Sequence, residues 1–207
     1  MIPKDPVVAP PEEGDPRDAY SGHCRIFKNQ TFPLQIPAST QDVTLEHKFG
    51  HFKIGAANAV KIDHLMGHVS IDSAESLSVE KVIGHFRVTE ANEISKISRA
   101  LIGVQASANH IETVNHIVGH TCLHAGDIGT IDDVVTGTKI IASKIGKISH
   151  FVGVVRVYGA EIEEVGNFIG FLCLYDGAKV IKRSPHAHLG IIRNCEDHRR
   201  FLEPLNP

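Results

Sequence analysis

Apolar and polar residues alternate along this chain in short runs, and the runs return at a nearly fixed interval. The clearest marker is a glycine that follows two mostly apolar residues. It occurs as KFG at Gly50, LMG at Gly67, VIG at Gly84, LIG at Gly103, IVG at Gly119, VTG at Gly137, FVG at Gly153 and FIG at Gly170. The steps between markers are 17, 17, 19, 16, 18, 16 and 17 residues. Positions two and four after the glycine are usually apolar: Phe52 and Ile54, Val69 and Ile71, Phe86 and Val88, Val155 and Val157, Leu172 and Leu174. Lys53, Ser70, Arg87 and Arg156 lie between them. This is the period of a strand with one buried face. An alanine often marks the next bend (Ala57, Ala74, Ala91, Ala125, Ala160). A second apolar pair follows, as in Val60 and Ile62, Leu77 and Val79, Ile94 and Ile97, or Ile162 and Val165. The apolar pair just before the next glycine supplies a third side. The register slips by one or two residues between Gly103 and Gly137.

A repeat of this length is too short for helical repeats, which need roughly 33 to 47 residues, or for a propeller blade of about 40. It suits one rung of a β-helix, where no rung buries its own apolar side chains but stacked rungs share a continuous core. The expectation is an all-β, single-domain, three-sided parallel β-helix of about nine rungs, roughly 40 Å long at ~4.8 Å per rung. The pattern extends back to a degenerate first rung in which Val43 and Leu45 align with Val60 and Ile62, and Pro33 and Pro37 suit a sheet edge. Three segments follow from this. Residues 1–29 form a Pro-rich, mostly disordered tail, residues 30–183 the β-helix, and residues 184–207 a C-terminal cap or tail, or part of a further rung. EDHRRFL within that last segment is long enough for about two helical turns.

Composition narrows the function. The 207 residues are 42% hydrophobic, with net charge −3 and a pI near 6.5. Without a basic run, nucleic acid is not an expected partner. No apolar stretch reaches the ~18 residues of a membrane span. The N-terminus has prolines and acids where a secretory signal has an apolar run. Cys24, Cys122, Cys173 and Cys195 form no CxxC pair, so reduced thiols and a cytoplasmic location are expected.

Histidine is the one clear excess, at fourteen residues. In HIVGHTCLH, His116, His120 and His124 recur every four residues, but the repeat makes this extended chain and not helix. His51, His68, His85 and His120 directly follow a marker glycine, and His47, His64, His116 and His150 stand three before one. They form two outward columns. The metal candidates are His116, His120, His51, His68 and His85, since imidazole suits Zn²⁺ or Ni²⁺. A site would need three or four ligands converging at about 2.0–2.1 Å. The alternatives are a solvated surface or a carbonic-anhydrase-like β-helix metalloenzyme using surface histidines. No Ser/His/Asp or Cys/His set emerges, so no catalytic residue and no cofactor are expected. Charged together below about pH 6, stacked imidazoles ~4.8 Å apart repel by about 0.9 kcal/mol per pair at the dielectric of water.

The end rungs of a β-helix expose unpaired backbone above an apolar core and invite pairing. The expected assembly interface is Leu34 and Ile36 at one end, with Phe168, Phe171, Leu172, Leu174 and Tyr175 at the other. The strict six-residue beat of left-handed acyltransferase helices is absent. The Gly-punctuated rung, clearest in HFVGVVRVYGAEIEEVGNFIGFLCLYDGAKV, resembles the bactofilins over about residues 30–182. That resemblance implies a right-handed helix polymerising end to end without nucleotide, as a cytoskeletal scaffold for cell shape or protein localisation. It implies the chain itself as first partner, with the membrane's inner surface or cell-envelope proteins reached through the tails. The chain departs from the family in having fewer glycines per rung and far more histidine.

Overall fold

The computed structural model describes residues 25–26, 34–36, 40–185 and 190–195. The strands are β1 (Arg25–Ile26), β2 (Leu34–Ile36), β3 (Thr40–Ile141), β4 (Lys144–Ser149), β5 (Phe151–Tyr158), β6 (Glu161–Val165), β7 (Phe168–Tyr175), β8 (Lys179–Arg183) and β9 (Gly190–Asn194). With 102 residues, β3 would reach roughly 340 Å if straight. It winds instead, and every strand pairing among the described residues is parallel. Val135 pairs with Val152, and Ile128 with Ile145, each 17 positions on. The result is an all-β solenoid of about nine turns with the expected period.

Each turn sends six side chains inward, at the positions of Phe52, Ile54, Ala57, Val60, Ile62 and Leu65, all buried. Their equivalents recur turn after turn, and the core is one cluster from Ile36 to Ala178. Like stacks on like. The rings of Phe151 and Phe168 stack 4.4 Å apart and nearly parallel. Fully burying one such apolar side chain stabilises by about 1.5–3 kcal/mol, a gain that each turn obtains only from its neighbours.

Three expectations need correction. First, the markers Gly103 and Gly137 are not corners. Positive φ recurs at Gly50, Gly67, Gly84, Ile102, Gly119, Thr136, Gly153 and Gly170. The steps become 17, 17, 18, 17, 17, 17 and 17, so the slip reduces to one long turn. The extra residue shows in the second apolar pair: Leu77 and Val79 are two apart, Ile94 and Ile97 three. Glycine is favoured at this corner because a Cβ on Gly84 would overlap the carbonyl oxygen of Gly67 one turn below. Thr136 is held there by donating from Oγ1 to the Gly119 carbonyl at 2.6 Å.

Second, the apolar pair before each corner does not face the core as a pair. Adjacent residues of an extended chain point to opposite sides. Leu65, Val82, Ile117, Phe151 and Phe168 are buried, while Met66, Ile83, Val118, Val152 and Ile169 stand outside.

Third, the ladder is longer than residues 30–183. β1 pairs with Val43 and Thr44, and β9 lies along β7 from Gly170 to Leu174. Pro33, Pro37, EDHRRFL and the first 24 residues lie outside the described residues.

Candidate interaction surfaces

The histidine columns face outward as expected, and backbone geometry explains one of them. His47, His64, His116 and His150 have φ between 46° and 55°, at a second left-handed corner. Lys81, Arg99 and Asp133 share that corner, at φ between 54° and 56°. Histidine and aspartate are enriched among the few side chains found there. The column thus answers a conformational demand that spacing alone did not reveal.

Carboxylates accompany it, which the sequence reading missed. His64 Nδ1 lies 2.7 Å from Asp63 Oδ1, and Lys81 Nζ donates to His64 Nε2 at 2.9 Å. His116 Nε2 is 3.3 Å from Asp133 Oδ2, and His150 Nδ1 is 2.8 Å from Asp132 Oδ1. Ser149 also donates to Asp132 Oδ1, at 2.7 Å. Burial alone would raise the Asp132 carboxyl, but the hydrogen bonds from Ser149 and His150 hold it below the usual carboxylate range.

The other column sits on ordinary strand. His51 and His68 stack at 4.6 Å and 5°, and His68 and His85 at 5.0 Å and 26°. His85 tilts because Gly103 leaves the next place empty; its Nδ1 is 2.8 Å from where a Gly103 Cβ would stand. The His68 imidazole is pushed below its ordinary value, by burial first and then by the charges of His51 and His85. Gly103 separates His120 from this stack, and the first column carries His116, so the five metal candidates do not converge. Among the described residues no three His, Cys, Asp or Glu side chains meet as a metal group. Gly103 and Gly137 floor a recess of about 570 Å³ walled by His85, Arg87, His120, Lys139 and Arg156. None of the described residues that line it is acidic.

At the C-terminal end, Phe168, Leu172 and Leu174 are core residues and not an open docking face. β9 occupies the ladder beside them, and a Cβ on Gly190 would strike the Phe168 ring. Phe171 is half open beneath Arg193, whose guanidinium lies 5.1 Å from its ring, and Tyr175 stacks on Tyr158 at 4.7 Å. Among the described residues the outer strands at this end are therefore β8 and β9. Lys179 and Lys182 of β8 bind back to Glu161 at 2.7 Å and Glu164 at 3.6 Å. On β9, Ile191 is 47% exposed. At the N-terminal end Ile36 is buried, and Leu34 pairs through its backbone with Phe52.

Outside the second corner runs a groove of about 600 Å³. Met66, Ile83, Leu101, Val118 and Val135 line its apolar side, and His64, Lys81, Arg99, His116 and Asp133 its polar wall. Among the described residues no helix is long and apolar enough to cross a membrane. Compared with family models, curated proteins and solved structures, the chain matches none.

Proposed function

We propose that this chain is a non-enzymatic structural rod that assembles end to end into nucleotide-independent filaments, in the manner of the bactofilins it resembles. The solenoid itself is compatible with a structural repeat protein. The observation that carries the assembly reading is the ladder, which continues from β1 to β9 with one apolar core beneath it. A ladder of this kind can be extended by another chain at either end. Correcting the C-terminal interface moves it outward by one strand, from β7 to β9 and its neighbour β8. The paired lysines of β8 blunt that edge, as edge lysines commonly do. Contact is therefore assigned to Ile191 and Ile192 on β9, meeting the β1–β2 edge or a second β9. As a filament subunit the protein would act as a cytoplasmic scaffold for cell shape or protein localisation.

Negative-stain microscopy and sedimentation of the full chain, with metal analysis of the same sample, test this. Filaments a few nanometres wide are expected, without stoichiometric metal, and Ile191→Lys should disperse them while the β-sheet circular dichroism persists. Single rods at every concentration, or filaments indifferent to Ile191→Lys, would overturn it.

A further inference from the structure

The row of outward residues before each of these positive-φ corners is apolar on all eight turns: Phe49, Met66, Ile83, Leu101, Val118, Val135, Val152 and Ile169. Seven of these are 40–61% exposed, and Val135 is half-buried. They account for most of the large exposed hydrophobics among the described residues. Isolated exposed apolar residues need no explanation, but a contiguous row does. Over seven steps of ~4.8 Å the row runs about 34 Å, and five residues of extended chain make it about 16 Å wide with its flanks. That is on the order of 500 Å² per rod, or about 1,000 Å² in a pair, near the lower bound for a specific interface. Six of the eight corners on one flank are glycines and carry no side chain, which lets a partner approach closely there; Ile102 and Thr136 occupy the other two.

We propose that two copies of this chain pair side by side and antiparallel through this row. A partner must offer apolar groups at the same ~4.8 Å repeat along the same length, and a second copy of the row does so. The polar wall decides the direction. A two-fold axis along the rods sets each wall against the partner's histidine-stack side. A two-fold axis across the rods sets wall against wall with the turns in reverse order, so turn three faces turn six. Lys81 stands on turn three and Asp133 on turn six, and the pairing brings them together twice. Arg99 on turn four then faces the partner's His116 on turn five. Within one rod, Lys81 and Asp133 are three turns, about 14 Å, apart. Lys81 there contacts His64, and Asp133 contacts His116. Complementary charges of this kind choose orientation more than they add affinity. This pairing does not depend on the end-to-end contact.

The decisive experiment joins light- and heavy-isotope copies of the full chain with a zero-length carbodiimide. Mixed-label crosslinks between Lys81 and Asp133 are expected. In sedimentation, using the Ile191→Lys background to remove end contacts, a concentration-dependent dimer is expected. Lys81→Asp and Asp133→Lys alone should each weaken it about tenfold, and the double swap should restore it. Leu101→Lys should leave a folded monomer with an unchanged thermal transition. A monomer at every concentration, crosslinks joining equivalent turns, failure of the double swap, or a row that binds lipid vesicles but not itself would each overturn the proposal.

Discussion

Gly153 and Gly103 both look like rung markers in the sequence, yet replacing each by alanine should have opposite consequences. Gly153 sits at φ +121°, and a Cβ there would lie 2.6 Å from the Thr136 carbonyl oxygen of the turn below. Ordinary contact needs about 3.4 Å, so the two turns must part by roughly 0.8 Å, and neither atom can swing aside because one is backbone. The strained φ costs about 1–3 kcal/mol, and the disturbed ladder adds to it, for a total of about 3 kcal/mol. In a chain of this size that lowers Tm by about 6–12 °C. Gly103 has no positive φ; its added methyl would crowd the ring of His85, Nδ1 at 2.8 Å, which can tilt away, and would meet the His120 carbonyl oxygen at an ordinary 3.8 Å. Alanine also narrows the unfolded ensemble, so Gly103→Ala should be neutral or stabilise by up to about 1 kcal/mol. Thermal and urea unfolding of the two variants beside the parent would decide. Equal losses at both sites would refute the assignment of the corner column and the close-approach argument behind it.

Thr121 and Thr138 occupy an inward column filled elsewhere by Phe, Val and Leu, and both hydroxyls are buried without a partner in the protein. Valine at either site should stabilise by about 1 kcal/mol in urea titrations. His68 is harder to protonate in the folded rod than in the unfolded chain, where the ordinary value is 6.5. The folded state therefore takes up fewer protons, and stability should fall as pH drops through 6.5 towards the folded value. Tm at pH 8 and pH 5.5 should differ, and His68→Gln should shrink the difference. Asp132 has the same sign in a more acidic window: its contribution is present above the ordinary value of 3.8 and lost as pH falls through the lower folded value. Asp132→Asn should cost about 1–2 kcal/mol at neutral pH and flatten the acid limb of the stability profile.

Much of the architecture was legible in particular residues. The pairs Phe52–Ile54 and Val60–Ile62, with their equivalents, announced period-two strands, and their return every turn announced stacking. The histidine columns were placed on the outside correctly. Ile102 and Thr136 escaped notice because a corner needs a backbone angle, and the neighbouring glycines Gly103 and Gly137 drew the alignment one position late. The pair before each corner was misread because apolar character alone cannot say which of two adjacent residues faces in. A further rung was one of three readings for the last segment, and the sequence did not choose it because Gly190 lies 20 residues beyond Gly170, outside the period.

The chain by itself thus determined a stacked, parallel, all-β repeat, since side-chain periodicity is a local property of extended backbone. Only the tertiary structure decided which carbonyl stands over each corner, which member of each apolar pair is left in water, and that β9 carries the ladder past β7. Those depend on contacts between residues a whole turn apart, where one residue of insertion shifts the column without changing the composition.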